Sequence, residues 1–436
     1  MQTVQQLAPG SATPPPQPRS RPAILVLNRS YWPDVEATGQ LLAELCSDLV
    51  AHSFDVRVIA GEPNLASSNE RFANAGTHDI DGVTVTRVRT KKFHKSSLWS
   101  RAVGLLSYFV KAGWKAAWGP RPAAVVVETD PPFLLALGAL LKWKHRRPLV
   151  CYLQDLHPEV GLALGRFKPG LVTWVLRALT QFGLKRADRV VVLGEDMRQR
   201  VAARGVPADR IQVVPNWADT SSIRPGPPST QLRTEWGVAD KFVVMYSGNL
   251  GLSQNLHRVL DAAALLKDEP VAFVFVGDGA YKRPLQERVA AEGLSNVKFF
   301  PYQPKDRLSE SLGAADVHLV TLQAGLAGYI VPSKLYGILA AGRPYIAAVP
   351  EEGETAAVTE RGRCGLRVAP DDPAALADAV RWCLAHREEL PEMGRRGRHL
   401  AETEFDRRVS TGKFASVLAD LVPSAKLAVT PPSQPA

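Results

Sequence analysis

The 436-residue chain is 45% hydrophobic and 22% charged, a globular balance with room for two domains, and nothing in it repeats at a solenoid or propeller period. Lys and Arg outnumber Asp and Glu by 10, which suits an anionic partner such as a lipid head group or a diphosphate. Zinc-finger spacing and ribonucleoprotein aromatic motifs are missing, so no nucleic-acid partner is expected.

Residues 1–22 and 427–436 are rich in Pro, Gln and Ser and are expected to be disordered tails. Between them, short β-branched runs alternate with longer amphipathic stretches, the pattern of parallel sheets covered by helices. Strands are predicted at 23–27, 54–59, 83–88, 123–127, 149–153, 189–193 and 211–214. A helix is expected from Thr38, carrying Leu41, Leu42, Leu45 and Leu49 at helical spacing. After a Pro- and Gly-bearing stretch, strands follow at 242–246, 272–276, 297–300, 317–320 and 345–348. The expected fold is therefore α/β, with two Rossmann-like domains facing a central cleft. The first spans 23–222, a linker 223–235, and the second 236–400. Residues 401–426 are expected as a helix returning to the first domain.

In open parallel sheets, ligands bind beyond the carboxyl ends of the strands. Ser247, Gly248, Asn249 and Gln254 fall in a turn after one such strand and before a helix, where small residues and free N–H groups suit a phosphate. A plain tight turn is the competing reading. Gly277, Asp278 and Gly279 follow the next strand at the same end of the sheet. Pro332, Ser333 and Lys334 open a later helix, with Ser333 as the expected N-cap. A lysine in a first turn opposes the helix dipole, which a bound diphosphate would compensate; an ordinary exposed lysine is the alternative. On the first domain, Tyr31, Asp34 and Gly39 lie in a long strand-to-helix loop suited to closing over the cleft. Asp130 follows one buried strand, and Asp155 and His157 follow another. Polar groups at adjacent strand ends are what a reaction centre needs, although Asp130 and Asp155 could each cap a helix.

These stretches resemble the GT-B retaining glycosyltransferases of family four, in the branch of colanic-acid, O-antigen and capsule gene clusters. The matching motifs are Tyr31-Trp32-Pro33-Asp34 with Gly39, Thr129-Asp130-Pro131-Pro132, and Asp155-Leu156-His157-Pro158-Glu159. In the second half they are Tyr246-Ser247-Gly248-Asn249-Leu250-Gly251, then Val331-Pro332-Ser333-Lys334-Leu335-Tyr336-Gly337 with Ala341-Gly342-Arg343-Pro344. The resemblance implies a metal-independent hexosyl or aminohexosyl transfer with retention and no cofactor, since the nucleotide-sugar is itself a substrate. It puts the donor mainly on the second domain, at Ser247, Gly248, Asn249, Gln254, Gly277, Asp278, Gly279, Tyr302, Tyr329, Pro332 and Ser333, with Gly39 meeting it from the first. Asp155, His157 and Lys334 are the implied catalytic set, with Tyr31, Asp34 and Asp130 on the acceptor side. The sequence departs from the family at Asn249 and Gln254, where an arginine and a lysine are usual. It departs again at Tyr329 and Gly337, where two glutamates are usual, and no histidine occupies the strand end at Gln154. A nucleotide-sugar epimerase or hydrolase on the same fold, or a non-catalytic scaffold of a polysaccharide assembly complex, are the other readings. A dehydrogenase fits worst, because no G-x-G-x-x-G follows the first strand.

Four widely spaced cysteines, Cys46, Cys151, Cys364 and Cys383, read as buried hydrophobes in a reducing compartment. With no secretory signal and no apolar run of about 18 residues, the expected location is the cytoplasm, against the inner face of the cell membrane. Residues 91–118 interleave Lys91, Lys92 and Lys95 with Leu98, Trp99, Trp114 and Trp118. This pattern suits an interfacial helix on an anionic membrane, meeting a polyprenyl-diphosphate-linked saccharide acceptor. Packing of its apolar side on the first domain is the alternative.

Overall fold

In the computed structural model, described over residues 21–34, 37–63, 74–90 and 98–422, the β-branched runs form two sheets. The expectations for the tails, apart from 21 and 22, and for Lys91, Lys92 and Lys95 fall outside those residues. The first half runs β1 (Ala23–Leu27), α1 (Ala37–Ala51), β2 (Asp55–Gly61), β3 (Gly76–Ile80), β4 (Val83–Val88), α2 (Leu98–Trp118) and β5 (Ala124–Val127). It continues with α3 (Leu134–His145), β6 (Leu149–Tyr152), α4 (Glu159–Ala163), α5 (Leu171–Arg186), β7 (Arg189–Val192), α6 (Glu195–Ala202) and β8 (Ile211–Val213). Its strand order is β3-β4-β2-β1-β5-β6-β7-β8, parallel except for the β3–β4 hairpin. Of the two hairpin strands, β4 was expected at 83–88 and β3 was not. Its turn is Asp81-Gly82, with φ of +53° and +78°, the paired left-handed geometry that matches strand twist.

The second half comprises α7 (Thr230–Glu235), β9 (Phe242–Ser247), α8 (Leu256–Leu265), β10 (Val271–Val276), α9 (Lys282–Glu292), β11 (Val297–Phe300) and α10 (Leu308–Gly313). Then follow β12 (Val317–Thr321), α11 (Lys334–Ala340), β13 (Tyr345–Ala348), α12 (Glu354–Gly362), β14 (Gly365–Val368), α13 (Pro373–Ala385), α14 (Leu390–Thr403) and α15 (Arg407–Leu421). The sheet order is β11-β10-β9-β12-β13-β14, all parallel. The stretch expected as a linker ends in α7, which buries Leu232, with the adjacent Trp236, against Val243 and Met245 of the second sheet.

Two chain segments cross between the halves side by side. The Ala218 amide donates to the Phe405 carbonyl, and the Arg407 amide donates back to the Ala218 carbonyl. Beyond the crossing, α15 lies on the first domain. Arg407 pairs with Asp48 of α1 at 2.7 Å, and the fully buried Phe414 ring meets Tyr152 edge-on at 5.0 Å. Removing a buried ring of this kind costs about 3–5 kcal/mol, so the C-terminal helix is part of the first core.

Candidate active site

Each sheet reverses direction once. In the first, the chain builds outward from β1 through β2 to β4, then restarts at β5 on the other side. In the second, β9 and β12 flank the same kind of reversal. Loops leaving the two strands at such a point diverge over opposite faces and leave a crevice for a ligand. The residues beyond β9 and β12 are 248–251 and 322–333, and the described ones beyond β1 and β5 are 28–34 and 128–133.

In the second domain two glycine-bearing turns are locked together. The Gly248 amide donates to the Val276 carbonyl, and the Leu250 amide donates to the Asp278 carbonyl, both at 2.9 Å. Gly277 has φ +147°, and a Cβ there would stand 2.0 Å from the Gly248 carbonyl oxygen, so no larger residue fits without moving the turn. Gln254 turns back to accept from the Gly251 amide at 3.1 Å, and the Tyr246 hydroxyl donates to the Asn249 carbonyl at 2.7 Å. Tyr302 is half exposed beside Asp278.

Lys334 reaches this turn from α11. Its Nζ lies 4.5 Å from the Tyr246 ring centroid, and its Cε would be 3.4 Å from a Cβ on Gly248. The ammonium is mostly covered, and burial pushes its pKa down to about 7. This removes the reading of an ordinary exposed lysine. Ser333 does not act as the expected N-cap: its backbone is already helical, at φ −62° and ψ −21°, and its side chain makes no capping bond.

The first-domain strand ends face this crevice. Asp155 forms an isolated antiparallel bridge with Ile330, and the Leu156 amide donates to the Tyr329 carbonyl at 2.8 Å. Tyr329 packs against the cores of both halves, and the Arg200 guanidinium of α6 lies 4.7 Å from its ring centroid. Asp155 caps no helix, since α4 begins at Glu159 after Pro158. Its carboxyl sits 3.9 Å from His157 Nε2. Desolvation raises its pKa, His157 pulls it back, and Asp130 raises it further. Asp130 likewise caps nothing: α3 is preceded by Phe133. Instead it holds the buried Arg29 at 2.9 and 3.2 Å across the β1–β5 reversal.

Two acceptor-side expectations change. Tyr31 is fully buried in the first core, and Asp34 is buried and accepts from the Ser30 hydroxyl at 3.2 Å. The loop is pulled down onto its own domain by Arg87, which donates to the Trp32 and Gly61 carbonyls. Neither side chain is therefore presented to the cleft as the sequence suggested. Gly39 is buried where a Cβ would stand 2.7 Å from Ser30 Oγ, so its smallness seats α1 against this loop.

Sequence reasoning missed a clasp between the halves. Asp196 Oδ2 accepts from the Gly328 and Glu354 amides, each at 3.0 Å, and Glu354 Oε2 accepts from the Glu195 amide at 3.1 Å. Each helix start, α6 and α12, thus receives a carboxylate from the other, which satisfies orphan N–H groups and both dipoles.

Two Rossmann-like domains whose strand ends face each other across such a cleft define the GT-B fold, and the family matches of its two halves make the chain a glycosyltransferase of this class. Residues 37–217 match the Glycosyl transferase 4-like domain, and residues 229–400 match Glycosyl transferases group 1, the families to which its two halves belong. The chain is 29% identical over 399 residues to WcaI of Escherichia coli (strain K12), named as a colanic acid biosynthesis glycosyl transferase. That similarity covers 88% of this chain and 96% of WcaI. It is also 29% identical over 312 residues to the Pseudomonas aeruginosa protein WbjE, named as a glycosyltransferase, covering 70% of this chain and 77% of WbjE. Among solved structures, Anabaena Alr3699/HepE in complex with UDP and glucose superposes with a TM-score of 0.71 at 19% identity, covering 92% of this chain and 100% of that one.

Proposed function

We propose that the protein transfers a hexose or aminohexose, with retention, from a nucleoside-diphosphate donor to a lipid-linked saccharide acceptor in polysaccharide biosynthesis. The names of WcaI and the binding of UDP and glucose by HepE support the pathway and donor class. The observation that carries the reading is the approach of Lys334 to the Ser247-Gly248 turn at the β9–β12 reversal, opposite Asp155.

The donor diphosphate lies over the Ser247–Gly251 and Gly277–Gly279 turns, with Lys334 beside it. An anion there makes the charged lysine favourable again, so Lys334 takes up a proton as the donor arrives. As the bond from the sugar to the diphosphate breaks, negative charge grows on the leaving oxygen, and the fixed ammonium stabilises it. Asp155 faces the sugar from the other domain. Its carboxylate stabilises positive charge at the anomeric carbon or orients the acceptor hydroxyl, with His157 tuning its charge. Transfer needs no bound metal, because Lys334 supplies the cation.

The test measures nucleotide release from a panel of nucleotide sugars, with and without a polyprenyl-diphosphate-linked saccharide, in excess chelator. Acceptor-dependent release supports transfer. Equal turnover without acceptor would mean a hydrolase or epimerase instead.

A further inference from the structure

Helices α2, α3 and α5 lie side by side on one face of the first sheet. Gly113 sits on Leu137, and Gly183 on Leu135, so α2 and α5 both pack close to α3. Their inward sides belong to the core, but their outward sides are not polar. Trp114 and Trp118 on α2 are 68% and 66% exposed, Trp143 on α3 is 82% exposed, and Leu171, Val172 and Trp174 project from the start of α5. Four of the nine tryptophans of the chain therefore stand in solvent on one helical layer. A monomeric soluble protein rarely leaves so large an apolar patch uncovered.

Charge identifies what covers it. Not one Asp or Glu occurs in α2, α3 or α5. Lys144 Nζ lies 4.4 Å from the Trp118 ring centroid, tying α2 to α3, and Lys111, Lys115, Arg146, Arg147 and Lys185, on or directly after the same helices, are exposed. Lysine is depleted from protein–protein interfaces. Tryptophan interleaved with lysine is instead the composition of a surface lying among anionic head groups, where the indole sits at the boundary and the ammonium meets phosphate. Among the described residues no helix is long and apolar enough to cross a membrane, so contact is lateral.

We infer that α2, α3 and α5 together form a docking face for an anionic lipid bilayer, with the aromatic side chains of all three helices inserted at the head-group level. The face is carried by three helices rather than by α2 alone. Its purpose rests on the lipid-linked acceptor proposed above, but its test uses neither donor nor acceptor.

The full chain is sedimented with phosphatidylcholine vesicles and with vesicles also containing phosphatidylglycerol. Wild type should pellet with the anionic vesicles, less so as salt rises, with a blue shift of tryptophan emission. The variant Trp118→Ser, Trp143→Ser and Trp174→Ser should partition at least about tenfold less, with its melting curve and UDP or GDP binding unchanged. Lys144→Glu with Arg147→Glu should remove the preference for anionic lipid. Failure of wild type to pellet at low salt would overturn the inference, as would equal partition by the tryptophan variant. So would a lipid-free dimer that the tryptophan variant converts to monomer, since a second copy would then cover the face. A protein that binds vesicles this way yet transfers no sugar keeps the docking face and removes the catalytic reading.

Discussion

Lys334 Nζ and the Tyr246 ring stand 4.5 Å apart, which places the ammonium that reaches this turn over an aromatic face buried in the second core. The hydroxyl of that tyrosine holds the Asn249 carbonyl, so one side chain fixes both the turn and the lysine that reaches it. Lys334→Ala should lower kcat by about 10²–10³-fold, the scale for loss of one preorganised electrostatic stabiliser. KM should change much less, because the charge it meets develops mainly in the transition state. Steady-state kinetics of nucleotide release measure this, and an unchanged kcat/KM would remove Lys334 from the site.

The interlocked turns should not tolerate a side chain. Gly277→Ala places a methyl group 2.0 Å from the Gly248 carbonyl oxygen at a left-handed φ. We expect a loss of stability of about 1–3 kcal/mol and a larger loss of nucleotide affinity, because the Ser247-Gly248 backbone must move. Thermal melting and calorimetry separate the two. Wild-type affinity in a stably folded variant would show that this backbone does not hold the diphosphate.

Asp155→Asn should melt within about 0.5 kcal/mol of wild type, since Asp155 caps no helix and its backbone bridge to Ile330 survives. Turnover should fall, because the charge is gone. In wild type the raised carboxyl pKa means that activity is lost, as pH falls, at a higher pH than an ordinary aspartate would give. A fully active Asn variant contradicts the role assigned to Asp155.

Asp196→Ala removes the acceptor for two amides of the other domain and leaves the first turn of α12 without its carboxylate. The closed arrangement should weaken by about 1–3 kcal/mol, seen as a larger radius of gyration in X-ray scattering and a higher donor KM. An unchanged radius and KM would mean that the clasp does not hold the domains together.

What the sequence made legible was the local periodicity. The helical apolar spacing of α1 placed its start, and the β-branched runs placed β1, β5, β9 and β10, within a residue or two of where they form. The Asp81-Gly82 signal for the β3–β4 hairpin was present, but β3 reads Gly-Thr-His-Asp-Ile and carries little apolar alternation. Long-range facts were not legible. Nothing local tells that Tyr31 and Asp34 turn inward, because Arg87, on a strand far along the chain, draws their loop down. The Asp196–Glu354 clasp joins residues 158 positions apart. The aromatic stripe of α2 was visible alone, whereas its continuation over α3 and α5 depends on how those helices lie together.

The most direct measurement of the central claim is calorimetry of UDP and GDP binding at pH 8, in excess chelator, in two buffers of different ionisation enthalpy. Ligand-free Lys334 has its pKa near 7 and is mostly neutral at that pH. A diphosphate beside it raises that pKa, so binding should take up about one proton and weaken as pH rises above 7. Lys334→Ala should bind without that uptake. Absence of binding in chelator, or the same proton uptake in wild type and Lys334→Ala, would contradict a metal-free diphosphate site built around Lys334.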